Sequence, residues 1–202
     1  MQAIVKWELD FGQAVLDFNV IVAGLDPAHQ GLGGAYHYGC DFPTGRTLYV
    51  DAAFGNPLRT LGLVVAELTE CQMGQQARGW NCGGSNGEAL SRFLAELMSG
   101  GARGELAAYT TGPAWDHAGR PDWIGNTEST DTNAVSTGCG LIYLYWMLSL
   151  GYSAPQITQA AGSSLAWNYN ALTGRSVSSA WPDFRQACAQ FSRITTPALP
   201  PR

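Results

Sequence analysis

Charge is what this sequence has least of. Asp, Glu, Lys and Arg make up 13% of its 202 residues, about half the usual share. The 11 Lys and Arg are scattered singly and the net charge is −5, so the chain lacks the basic stripe that phosphate backbones require, and nucleic acid is excluded as an expected partner. Long apolar runs are missing too. The longest, CGLIYLYWMLSL at 139–150, is too short to span a bilayer and reads as a helix buried on all sides. The N-terminal stretch MQAIVKWELDFG has no basic flank leading into an apolar core, so no signal peptide is visible, and a secreted mature form stays open. Five cysteines (Cys40, Cys71, Cys82, Cys139, Cys188) lack close CxxC spacing and cannot all pair, so at most two bridges form.

The chain is rich in Gly (25) and Trp (7). With so little charge, much of its surface must be amide, hydroxyl and aromatic edge, which suits a neutral glycan or peptide ligand. The length fits one domain over 1–196 followed by a loose, Pro-rich tail at 197–202.

AVLDFNVIVA (14–23) and RTLYVDAA (46–53) carry the β-branched and aromatic residues of strands, with a Gly- and Pro-rich loop between them. From residue 58 the apolar period becomes helical. LRTLGLVVAELTECQMG reads as one helix, and GEALSRFLAELM, with Leu90, Phe93, Leu94 and Leu97 on one face, as a second that stops at Gly100-Gly101. Residues 100–135 read as a long Trp-bearing connection. After the buried helix, three short helices are expected. The first starts at Ser153-Ala154-Pro155 and stops at Gly162, the second is capped by Ser163 or Ser164 and stops at Gly174, and the third opens at Pro182-Asp183. A sheet followed by a mainly helical half is an α+β architecture.

On the first helix Glu67 and Glu70 are three apart and therefore neighbours. Glu88 stands in the first turn of the second helix, where the helix dipole favours an anion. DTNAVSTGCGLIYLYWML then leads through turn-forming residues into the buried helix.

In this order the three segments resemble the gluzincin, thermolysin-like group of zinc peptidases. There a His-Glu-x-x-His helix is followed by a helix beginning Asn-Glu-Ala-x-Ser-Asp, and later by an Asp-x-x-x-Val-His-x-x-Ser-Gly segment. The resemblance covers roughly residues 47–150 and implies a zincin-like fold. It sets Ala66 and Glu70 at the zinc-histidine positions, Glu67 at the general base and Glu88 at the third ligand, with Ala89 and Ser91 also matching. Asp131, Val135, Cys139 and Gly140 fit the last segment, with Ser136 in place of its histidine. Arg92 falls where an aspartate would orient a zinc-bound histidine.

With three histidine positions lost, catalytic zinc is not expected, and no metal or other cofactor is assigned. The low polarity of the helix around Glu67 and Glu70 calls for a partner for its carboxylates, and Arg92 is the obvious one. The expectation is a metal-independent hydrolase in which Glu67, Glu70 and Glu88 divide acid and base roles, as glycosidase carboxylates do. Arg92, Trp115, Trp123, Asp131 and Ser136 would contact the glycan or peptide. The alternative is a pseudo-peptidase that binds such a ligand without turnover. Two weaker readings make Cys139 a helix-terminal nucleophile with His117 as base, and His29 or His37 metal ligands.

Overall fold

The computed structural model describes residues 11, 17–25, 34–40, 46–53, 55–99, 112–160 and 162–190. Residues 14–16 of the first expected strand, His29, the Gly100-Gly101 stop, the start of the long connection and the C-terminal tail lie outside these.

The architecture is α+β. A small mixed sheet has the order β1-β3-β2, with β1 (Asn19–Ala23) parallel to β3 (Thr47–Asp51) and β2 (Ala35–Tyr36) antiparallel to it. β3 buries Leu48 and Val50, whereas β1 is exposed along its length. Asp51 at the end of β3 is buried because its carboxylate accepts from the Ala53 amide at 2.9 Å, so a polar group inside the fold is satisfied rather than orphaned.

The helical half begins with α1 (Pro57–Gln76), started by Asn56, whose side chain accepts from the Leu58 and Arg59 amides at 3.0 and 3.1 Å, with Pro57 at the first helical position. α2 (Ser85–Ser99) packs along α1. Gly87, in the first turn of α2, allows that approach: a Cβ there would stand 1.9 Å from the Asn81 carbonyl oxygen. α4 (Ala134–Ser149) lies across α2, and Gly140 brings its backbone onto Ala89, where a Cβ would come within 2.7 Å. Both contacts need the missing side chain.

The short helices follow local chemistry. α5 (Ala154–Gln159) starts from a capping box between Ser153 and Gln156. α6 (Leu165–Thr173) starts at Ser164 and ends at Gly174, whose φ of 72° is left-handed. A 3₁₀ turn at Val177–Ser179 precedes α7 (Ala180–Cys188).

One stretch differs from the loop expected between 100 and 135: Gly112–His117 forms a short helix, α3, against α4. The cause is Trp115. It is fully buried, stacked on Phe184 of α7 with ring centroids 5.5 Å apart, and its indole N–H donates to the Pro121 carbonyl at 2.8 Å. Tyr143, Trp146 and Tyr169 complete this aromatic core. No helix among the described residues is long and apolar enough to cross a membrane.

Of the cysteines, Cys40 and Cys82 form a disulfide, and Cys71, Cys139 and Cys188 are free and buried. The bridge ties the segment after β2 to the start of α2 across a separation of 42 residues. Replacing both partners by serine is expected to cost about 2–4 kcal/mol, because that loop is no longer closed in the unfolded chain. Denaturant unfolding of the double variant checks this, with an unchanged midpoint as the contrary result.

Candidate functional site

The site is assembled from three places in the chain. α1 projects Glu67 and Glu70 from neighbouring turns toward α2, whose first turn supplies Glu88, with Ser91 and Arg92 one turn on. The third contributor is the residue after β2. Tyr36 stacks on Tyr49 at 4.7 Å and Tyr38 meets the same ring edge-on at 5.9 Å. Extended backbone alternates its side chains, so His37, between the two tyrosines, turns the other way, toward α1. Its Nε2 stands 3.4 Å from a Glu70 carboxylate oxygen. One ring nitrogen of His37 and one oxygen each of Glu67 and Glu70 all lie within 4.8 Å of one another.

The segment leading into α4 closes a further side. Ser85 and Glu128 exchange backbone and hydroxyl hydrogen bonds, each 3.0 Å long. Glu128 in turn accepts from the Asn133 amide group at 3.1 Å and from the Ser136 hydroxyl. These bonds hold Asp131 near enough for its carboxylate to act on His37, Glu67 and Glu70.

The carboxyl groups share a direction but differ in surroundings. Burial, reinforced by Glu70, Glu88 and Asp131, holds Glu67 protonated well above the usual carboxylate range. Glu67 accepts no hydrogen bond among the described residues. Burial also raises Glu70, and Asp131 adds to the shift, while Glu88, Ser91 and Arg92 oppose it without reversing it. Glu88 is pushed up to about 8, first by burial and then by the Glu70 charge, against the opposing pull of Arg92, whose Nε donates to it at 2.6 Å. All three carboxyls are therefore shifted toward the protonated form. Burial lowers the His37 pKa, against the pull of the Gly39 backbone and the Glu88 and Asp131 carboxylates. The ring is neutral at pH 7, and its contact with Glu70 is not an ion pair.

The structure thus brings together Glu67, Glu70, Glu88, Arg92 and Asp131 from the residues expected at the site. Others it places elsewhere. Trp115 is buried in the core against Phe184, away from the glutamates, and borders the separate cavity beside α7. Ser136 is buried, and its hydroxyl is taken up by Glu128. Trp123 is half-buried against the core, its indole N–H enclosed without a partner. Cys139 is fully buried, which raises its thiol far above the range of a reactive cysteine, so the nucleophile reading fails.

His37 was visible in the sequence only as an isolated histidine among aromatics, and the neighbouring Cys40 was the one hint that its loop is tied down. A cavity of about 400 Å³, lined by Arg120, Pro121, Trp181 and Arg185 among others, opens between α7 and the turn after α3, and contains none of the glutamates. The cavity's only carboxyl is Asp122, whereas the glutamate cluster brings several together. No known protein family, no curated protein and no solved structure matches the chain.

Proposed function

We propose that the protein is a hydrolase of zincin-like architecture in which the buried glutamates carry proton transfer on a neutral glycan or peptide. The observation that carries this reading is that Glu67 and Glu70 approach within 4.8 Å, and that burial raises both carboxyls while only Glu70 has neighbours, Glu88, Ser91 and Arg92, that oppose the shift. Glu67, with no hydrogen bond to hold its carboxyl, is the general acid and protonates the leaving group. Glu70, whose upward shift Glu88, Ser91 and Arg92 oppose, is the base that takes a proton from water, or the nucleophile. Pushing the pKa values of two adjacent carboxyls apart is the usual way to run both roles at one pH. For a glycan, so close a pair leaves little room for a water between the carboxyls, and this favours attack by Glu70 and retention at the anomeric carbon over inversion.

The low surface charge supports a neutral polymer as substrate. A screen of uncharged oligosaccharides and peptides with chelator-treated protein is expected to find turnover with a bell-shaped pH profile whose limbs belong to the pair. Binding of the same oligomers without any turnover would instead make the chain a peptide- or glycan-binding module.

A further inference from the structure

We infer that the same cluster is a divalent-cation site, with His37 Nε2 and the carboxylates of Glu67 and Glu70 as protein ligands. This goes beyond the acid–base reading and does not depend on it. The set is not the one that the zinc-peptidase resemblance implies, since Ala66 and Glu88 take no part and the imidazole comes from outside the motif helix.

Donor spacing is the first argument. Two donors about 2.1 Å from a tetrahedral ion stand about 3.4 Å apart, and His37 Nε2 and Glu70 Oε2 are separated by 3.4 Å. That distance is long for a strong charge-assisted hydrogen bond. Glu67, within 4.8 Å of both, needs a modest side-chain rotation to complete a three-donor face and leave a fourth position open.

The imidazole is the second argument. The His37 side chain is 6% exposed, and its Nδ1 is buried without a hydrogen bond, turned toward the backbone at Tyr38 and Gly39. Nε2 is the nitrogen aimed into the carboxylates. A buried ring with one nitrogen aimed at an acidic cluster has the arrangement of a metal ligand. The ring is also held in place: Tyr36 and Tyr38 clamp its neighbours on Tyr49, Cys40 is bridged to Cys82, and the Gly74 amide of α1 donates to the Cys40 carbonyl at 3.1 Å.

Charge is the third. Glu67, Glu70, Glu88 and Asp131 act on one another, and Arg92 is committed to Glu88. A divalent cation would compensate the carboxylates that face His37. One imidazole with carboxylate oxygens selects zinc or a similar first-row ion over magnesium or calcium, which favour oxygen throughout.

The test uses the full chain, stripped with chelator and titrated with zinc chloride by calorimetry. One equivalent is expected, with affinity falling at least about 100-fold in His37→Gln and in Glu67→Gln, since losing a ligand costs no less than losing its supporting partner. His117→Gln should bind as the parent does. Thermal melts establish that the variants are folded, and Glu67→Gln, nearly isosteric, serves should His37→Gln unfold. No zinc bound by the folded parent, or an equivalent retained by both variants, overturns the site. If the acid–base reading is also right, the bound zinc inhibits turnover by occupying the carboxyls. Activation by zinc would overturn that reading and leave the cation site standing.

Discussion

Replacing Glu67 by glutamine is expected to slow turnover about 10²- to 10⁴-fold while leaving the fold intact, the usual loss when a positioned acid or base is removed. The substitution keeps the shape of the side chain, and Glu67 gives up no hydrogen bond because it accepts none among the described residues. Burial and three neighbouring carboxylates hold Glu67 protonated, so the amide replaces a neutral group by another neutral group. Stability should therefore change little or improve, and the kinetic loss can be assigned to proton transfer. The loss should fall on kcat and kcat/KM together, the pattern of an interaction made in the transition state. A substrate with an already acidic leaving group should recover much of the rate in the variant, since it needs no protonation. Undiminished turnover of an ordinary substrate by Glu67→Gln would remove Glu67 from the chemistry and leave Glu70 and Glu88 to be tested in the same way.

What was legible in advance divides along sequence distance. The helix start at Ser153-Ala154-Pro155 and the stop at Gly174 are local chemistry, and the structure uses each as the residues dictate. The meeting of Glu67, Glu70 and Glu88 was legible because helical spacing sets the first two side by side and consecutive helices joined by a short turn tend to pack. Arg92 followed from the cost of burying carboxylates without a cation. Three features were not legible, and each depends on long-range contacts. Trp115 looked like a loop aromatic because its burial comes from Phe184, far along the chain. Ser136 looked free until Glu128 reached it. His37 depends on a strand pairing, a tyrosine stack and a disulfide, none with a local signature. The resemblance covered α1, α2 and α4 and drew attention to the positions that had lost histidine, so it could not point to an imidazole arriving from β2.

Stability should run opposite to the usual acid-denaturation profile, and Arg92 should decide how steeply. The Glu88 carboxyl titrates at about 8 in the folded chain, against an ordinary 4.5. A carboxyl raised in this way binds its proton more tightly when folded. The stability it contributes is fully present below about pH 4.5 and is lost as pH rises through about 8. Glu67 and Glu70 are shifted in the same direction. Metal-free protein should accordingly melt at a higher temperature near pH 5 than near pH 9, by several kcal/mol of unfolding free energy, on the order implied for Glu88 alone. Arg92 opposes the shift, with its guanidinium 13% exposed and paired to a Glu88 side chain 12% exposed. Arg92→Ala leaves that carboxyl without its cation. The cost should reach about 3–5 kcal/mol where Glu88 is ionised, or roughly 6–20 °C in Tm for a chain of this size. Near pH 5, with Glu88 protonated, most of that loss should return. Glu88→Gln should flatten the profile, because the neutral amide removes the charge whose burial is disfavoured. Differential scanning calorimetry of the three proteins from pH 5 to pH 9 measures all of this. An Arg92→Ala variant as stable as the parent at pH 9 would mean that water reaches the glutamates freely, and the upward shifts of Glu67 and Glu70 would then lose their cause.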